Sequence, residues 1–160
     1  MKNKNAISPV VATILMVLIT IAAVTIIWAA IIPMVKDQLT GGTSCLDATM
    51  EISVDATSGY TCVNDTASAG KTDVFVQVTR GPKDFDLAGL QFIVYGADGN
   101  TVSVENTTIL AMPGANEARV FVFNVTNTTT YTKVDVAPIV QTGNTADTCG
   151  TAASVALNPC

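Results

Sequence analysis

Thirty consecutive residues, 6–35, carry no charge and read A-I-S-P-V-V-A-T-I-L-M-V-L-I-T-I-A-A-V-T-I-I-W-A-A-I-I-P-M-V. About 20 such residues span a bilayer core. The apolar part of a secretory signal is only about 7–15 residues and ends at a small-residue cleavage site, so this run is too long to be one. Ile, Val and Thr are mediocre helix formers in water. In lipid, however, a lone segment must satisfy every backbone group within itself, and a helix does so. A helix apolar on every side must then be covered on every side, by lipid or by other helices. Over residues 9–39 it is a cylinder about 46 Å long and about 10 Å wide. Burying its area of roughly 1,400 Å² is worth on the order of 35 kcal/mol as an upper bound. Exposure to water is excluded.

The ends of the run carry their own signals. The leader M-K-N-K-N holds two lysines, and Ser8-Pro9 follows it. Serine is a favoured N-cap and proline a favoured first helical residue, because no amide donor is needed there. The helix is therefore expected to start at Ser8 and Pro9. At the far end Pro33 predicts a kink. The chain then turns polar at Lys36-Asp37-Gln38 and reaches Thr40-Gly41-Gly42. This predicts a helix end near Leu39, with Gly41-Gly42 as cap and hinge.

A short lysine-bearing leader followed by A-I-S-P-V-V-A-T-I-L-M-V-L-I-T-I-A-A-V closely resembles the N-terminal segment of archaeal type IV pilins, over about the first quarter of the chain. Archaellins are less similar, and the acid that bacterial type IV pilins carry early in the helix is replaced here by Val10 and Val11. The resemblance implies a class III signal peptide cut by a prepilin peptidase between Ala6 and Ile7, with Asn5 and Ala6 as the alternative junction. It further implies a precursor in the cytoplasmic membrane, a pilus assembly platform as partner, and an extracellular, cell-surface helical polymer of the chain with itself. The expected organisation is a leader at 1–6, a hydrophobic helix at 7–40, a hinge at 41–44 and a head at 45–160.

Beyond the hinge the apolar period falls to two. Alternation at 50–56, 73–79, 90–95, 101–104, 119–125 and 132–140 predicts strands. G-A-D-G-N at 96–100 predicts a hairpin turn, because Gly and Asn accept positive φ. Six or seven short strands argue for an immunoglobulin-like β-sandwich, with a barrel as the alternative, and with the helix the fold class is α+β. The stripes Val74, Val76, Val78; Leu90, Phe92, Val94; and Val120, Val122 are expected in the core. Phe121, Phe123 and Val125 make the other face of their strand apolar too, which suggests a central strand or a face covered by a neighbouring subunit.

Composition narrows the function. The net charge is −5, and it would be −7 without the leader's Lys2 and Lys4; the other six basic residues are scattered. That disfavours nucleic acid, which is held by clustered Lys and Arg. There is no histidine, so the commonest general base and metal ligand is absent. Cys45, Cys62, Cys149 and Cys160 lack the close pairs of a zinc site and are expected to form two disulfides outside the cell. Proximity along the chain favours Cys45 with Cys62 and Cys149 with Cys160. Asn64, Asn106, Asn124 and Asn127 begin N-x-S/T sequons and are candidate glycan acceptors, Asn124 less so because its strand would bury it. Asp84, Asp86 and Asp98 are read as solvated loop acids, since no EF-hand pattern surrounds them. No catalytic, cofactor or metal residue is assigned. The expectation is a filament subunit, the alternative a single-pass, membrane-anchored binding module.

Overall fold

The computed structural model describes residues 9–64, 70–108, 111–126, 130–143 and 145–160. The chain divides into two units, Met1–Leu39 and Thr40–Cys160. Helix α1 occupies Pro9–Glu51, 43 residues or about 64 Å. Pro33 lies inside it without ending it. The helix therefore continues about three turns past the expected end at Leu39, and Gly41-Gly42 is helix interior, not cap.

Tertiary contacts within the second unit hold this last stretch. Ala48 is fully buried, Cys45 is bonded to Cys149, and Lys83 Nζ lies 2.7 Å from Asp47 Oδ1. The Gly81 amide donates to the Glu51 carbonyl at 2.8 Å. The helix stops where that amide satisfies one of its orphan carbonyls.

The strands are β1 Ile52–Val54, β2 Cys62–Asn64, β3 Lys71–Arg80, β4 Leu87–Gly96, β5 Thr101–Asn106, β6 Ala118–Thr126, β7 Tyr131–Thr142, β8 Thr145–Thr148, β9 Ala153–Ala156 and β10 Asn158–Pro159. In one sheet, β1 and β2 lie end to end along one edge of β3, and β6 pairs with the other edge. β10 adds to β2 in parallel. In the second sheet β5 pairs with β4, β4 with β7, and β8 and β9 share the far edge of β7. With β1 and β2 together in the place of a first strand, the β3–β6 and β4–β7 pairs in opposite sheets correspond to the B–E and C–F pairs of an immunoglobulin-like sandwich. Buried Tyr131, at the start of β7, donates its hydroxyl to the Thr126 carbonyl at 2.6 Å, the tie that locks the corresponding corner of immunoglobulin domains.

The core lies between the sheets and takes Val74, Val76 and Val78 from β3, Leu90, Phe92 and Val94 from β4, and Val134 and Val136 from β7. Phe92 packs against Phe121 and Phe123 with centroids 5.2 and 5.1 Å apart. The expected turn is present: Gly99 has φ 85°, the Gly96 amide donates to the Asn100 carbonyl at 2.8 Å, and Asp98 caps the Asn100 amide at 3.0 Å. Pro138 is fully buried inside β7. It sits in the gap between the stretches paired with β9 and β8, where a missing amide costs least.

One stripe is reversed. Val120 and Val122 are 44% and 57% exposed, and β6 turns Phe121, Phe123 and Val125 inward. Among the described residues β6 pairs only with β3, so it is an edge strand and not the central strand its two apolar faces suggested. Strand alternation defines two faces; the bulky phenylalanines, which bury more area than valine, take the inside.

Candidate functional site

In the first unit the feature to explain is α1 itself. Val17, Leu18, Ile19 and Ile21 point round most of the circumference, and each is more than half exposed. The helix is long and apolar enough to cross a membrane, with a mean hydropathy of 2.9 in its most apolar window and none of that window buried. The three threonines between Pro9 and Leu39 need no outside partner: Thr13, Thr20 and Thr25 donate to the carbonyls of Val10, Val17 and Ala22 at 2.9, 2.8 and 2.9 Å. Bonded back in this way, the hydroxyls add no unpaired polar group to a surface that must be covered. Chemically this surface can do one thing, which is to lie against lipid or against other apolar helices. Pro9 is the first described residue and is already helical. Asn5, Ala6, Ile7 and Ser8 lie outside the described residues.

In the second unit the four cysteines form two disulfides, but the pairing differs from the expected one. Cys45 joins Cys149 and Cys62 joins Cys160, with sequence separations of 104 and 98. The cause is strand placement. β10 runs beside β2 with Asn158 opposite Cys62, and the Cys160 amide donates to the Val63 carbonyl at 3.0 Å, so the C-terminal cysteine arrives at Cys62. The Cys149 amide bonds to the Pro138 carbonyl at 2.9 Å, which fixes Cys149 at the end of β8 where it meets the helix at Cys45.

Two charged positions were not singled out in the sequence, because an isolated Arg or Asp in a strand has no pattern to mark it. Arg80 is buried at the end of β3. Its guanidinium donates to the Phe85 carbonyl at 2.6 Å and, more weakly, to those of Lys83 and Pro113. It also lies 4.1 Å from the centre of the Phe85 ring, so it binds two loops to the sandwich. Asp135 on β7 is buried. It accepts the Tyr95 hydroxyl at 2.9 Å and lies 3.1 Å from Lys133 Nζ, while Lys133 stacks over the Tyr95 ring at 4.5 Å. Burial pushes the Asp135 carboxyl up, but hydrogen bonds from Ser154, Lys133 and Tyr95 outweigh it and hold the group below the usual range.

The structure scatters the sequon asparagines. Asn64 is half-buried in β2 and Asn106 half-buried at the end of β5, where its side chain caps the Thr108 amide at 3.0 Å. Asn124 is exposed, contrary to expectation, because the outward face of β6 includes it; its amide donates to Asp73. Asn127 lies outside the described residues. Asp84 and Asp86 are exposed, and Asp84 reaches Arg80 at 3.7 Å. Among the described residues no group of three His, Cys, Asp or Glu is placed to hold a metal ion. No family model, no curated protein and no solved structure matches the chain.

Proposed function

We propose that this chain is the structural subunit of an archaeal type IV, adhesion-type pilus. It inserts in the cytoplasmic membrane, loses its leader to a prepilin peptidase, and is drawn by an assembly platform into a homopolymer. There the apolar helices pack on one another and the β heads face outward at the cell surface. Its role is structural, not enzymatic, and it needs no cofactor. The observation that carries this reading is the helix surface, apolar round its circumference with its threonine hydroxyls bonded internally. Such a surface is as well covered by sister helices as by lipid. The Ser8-Pro9 junction and its lysine leader supply the resemblance to the pilin family.

The test is to shear filaments from the cell surface and sequence the N-terminus of their main subunit. A start at Ile7 or Ala6 is expected. A detergent-extracted monomer that keeps Met1, with no filament, would establish the membrane-anchored binding module instead. Val17→Asp places an unpaired carboxylate in the packed helices at a cost of several kcal/mol per subunit, so filament yield should collapse. Normal filaments from that variant would sink the proposal.

A further inference from the structure

The disulfides interleave. Along the chain the cysteines run 45, 62, 149, 160, and the bonds join the first to the third and the second to the fourth. From Cys45 to Cys160 there are then two short covalent routes. One crosses to Cys149 and follows eleven residues to the C-terminus; the other follows seventeen residues to Cys62 and crosses directly to Cys160. Strands β3 to β8 lie on neither.

We propose that this crossed pair is a tension shunt: force applied between the helix and the C-terminal segment 149–160 passes through the disulfide frame and leaves strands β3 to β8 unloaded. At no more than about 3.6 Å per residue, the two routes stretch to about 4 and 6 nm, against about 40 nm for the uncrosslinked chain from Cys45 to Cys160. Either bond alone is enough, because breaking one leaves the other route intact. Pairing neighbours along the sequence would not do this, since residues 62–149 would then extend in series by about 30 nm. The C-terminal segment is placed to receive force, with Gly150, Thr151, Ser154, Asn158 and Pro159 all exposed. The same topology retains cut chains: no single backbone break between Cys45 and Cys160 releases a fragment, because a disulfide always bridges it.

The source of the tension, a filament or an anchored helix, rests on the proposed function; the route does not, so it can be tested on single chains. The full chain in detergent is held by handles at its two ends and pulled. Helix uncoiling is common to all variants, and the head should add at most about 4 nm in the oxidised protein. Cys62→Ser with Cys160→Ser should leave this at about 4 nm, and Cys45→Ser with Cys149→Ser should raise it to about 6 nm. Removing all four cysteines, or adding thiol reductant to the wild-type chain, should release about 40 nm whether or not the variant folds, because contour length is what is read. A release near 30 nm from the oxidised chain, or near 40 nm from either two-cysteine variant, would overturn the shunt. So would a fragment freed by a single tryptic cut between Cys62 and Cys149 on a non-reducing gel.

Discussion

Asp135 shows how one residue ties the outer face of a sheet to solvent conditions. Its folded pKa lies below its ordinary value, so its contribution to stability is complete above the unfolded value of about 3.9 and is lost as pH falls through the lower folded one. Asp55, held by bonds from the Thr57 amide and hydroxyl, and Glu117, held by the Gly114 amide and Arg119, shift in the same direction. The denaturation midpoint of the head should therefore be flat from neutrality to about pH 5 and fall below about pH 4. Asp135→Asn should make that acid limb shallower; an unchanged limb would remove Asp135 from its cause. Gly89 is a second residue whose identity matters. A Cβ there would stand 2.7 Å from the Asn106 carbonyl oxygen, beside the register shift between β4 and β7. Gly89→Ala should cost about 1–3 kcal/mol in a urea titration. Neither role is written in the local sequence: an Asp between two valines reads the same whether it meets water or a Tyr–Lys pair, and a glycine in a strand does not announce which backbone will approach it.

At the scale of elements, α1 is the case where a local rule gave the right structure and the wrong end. Gly41-Gly42 after a polar triplet is a sound stop signal, and it is overridden because residues 40–51 gain burial at Ala48, the Cys45 bond and the Lys83–Asp47 pair. Gly42 has open space around its missing Cβ and no positive φ. In a helix interior Gly42→Ala should therefore stabilise the head by about 0.5–1 kcal/mol. Were Gly42 a left-handed cap, the same change would destabilise it, so one melting curve decides between the two. The strands β3, β4, β6 and β7 were legible because period-two alternation is the direct imprint of a half-buried pleat. β2, β8, β9 and β10 were not: segments of two to four residues carry too few side chains to show a period, and their partners make them strands. β6 was legible as a strand but not in orientation, since both of its faces are apolar.

For the whole molecule, the covalent frame is the main departure from what local spacing suggested. Non-reducing peptide mapping should link the peptides of Cys45 and Cys149, and those of Cys62 and Cys160; a Cys45–Cys62 link would refute the frame. Loops of about 100 residues restrict the unfolded chain more than short ones do, so loss of either bond should cost about 2–5 kcal/mol, read as a lower denaturation midpoint. The sequence by itself determined the two-part plan. It set a helix that cannot face water, because thirty uncharged apolar residues leave no other conformation in lipid, and it set a β head, because alternation selects strands. It also held four cysteines with no metal-site spacing. Only the tertiary structure decided where the helix ends, which face of β6 turns inward, what Arg80 and Asp135 bond to and which cysteines meet. Each of those depends in part on partners far along the chain, such as Pro113 for Arg80, Tyr95 for Asp135 and Cys149 for Cys45, and chain order carries no record of that until the sheets have formed.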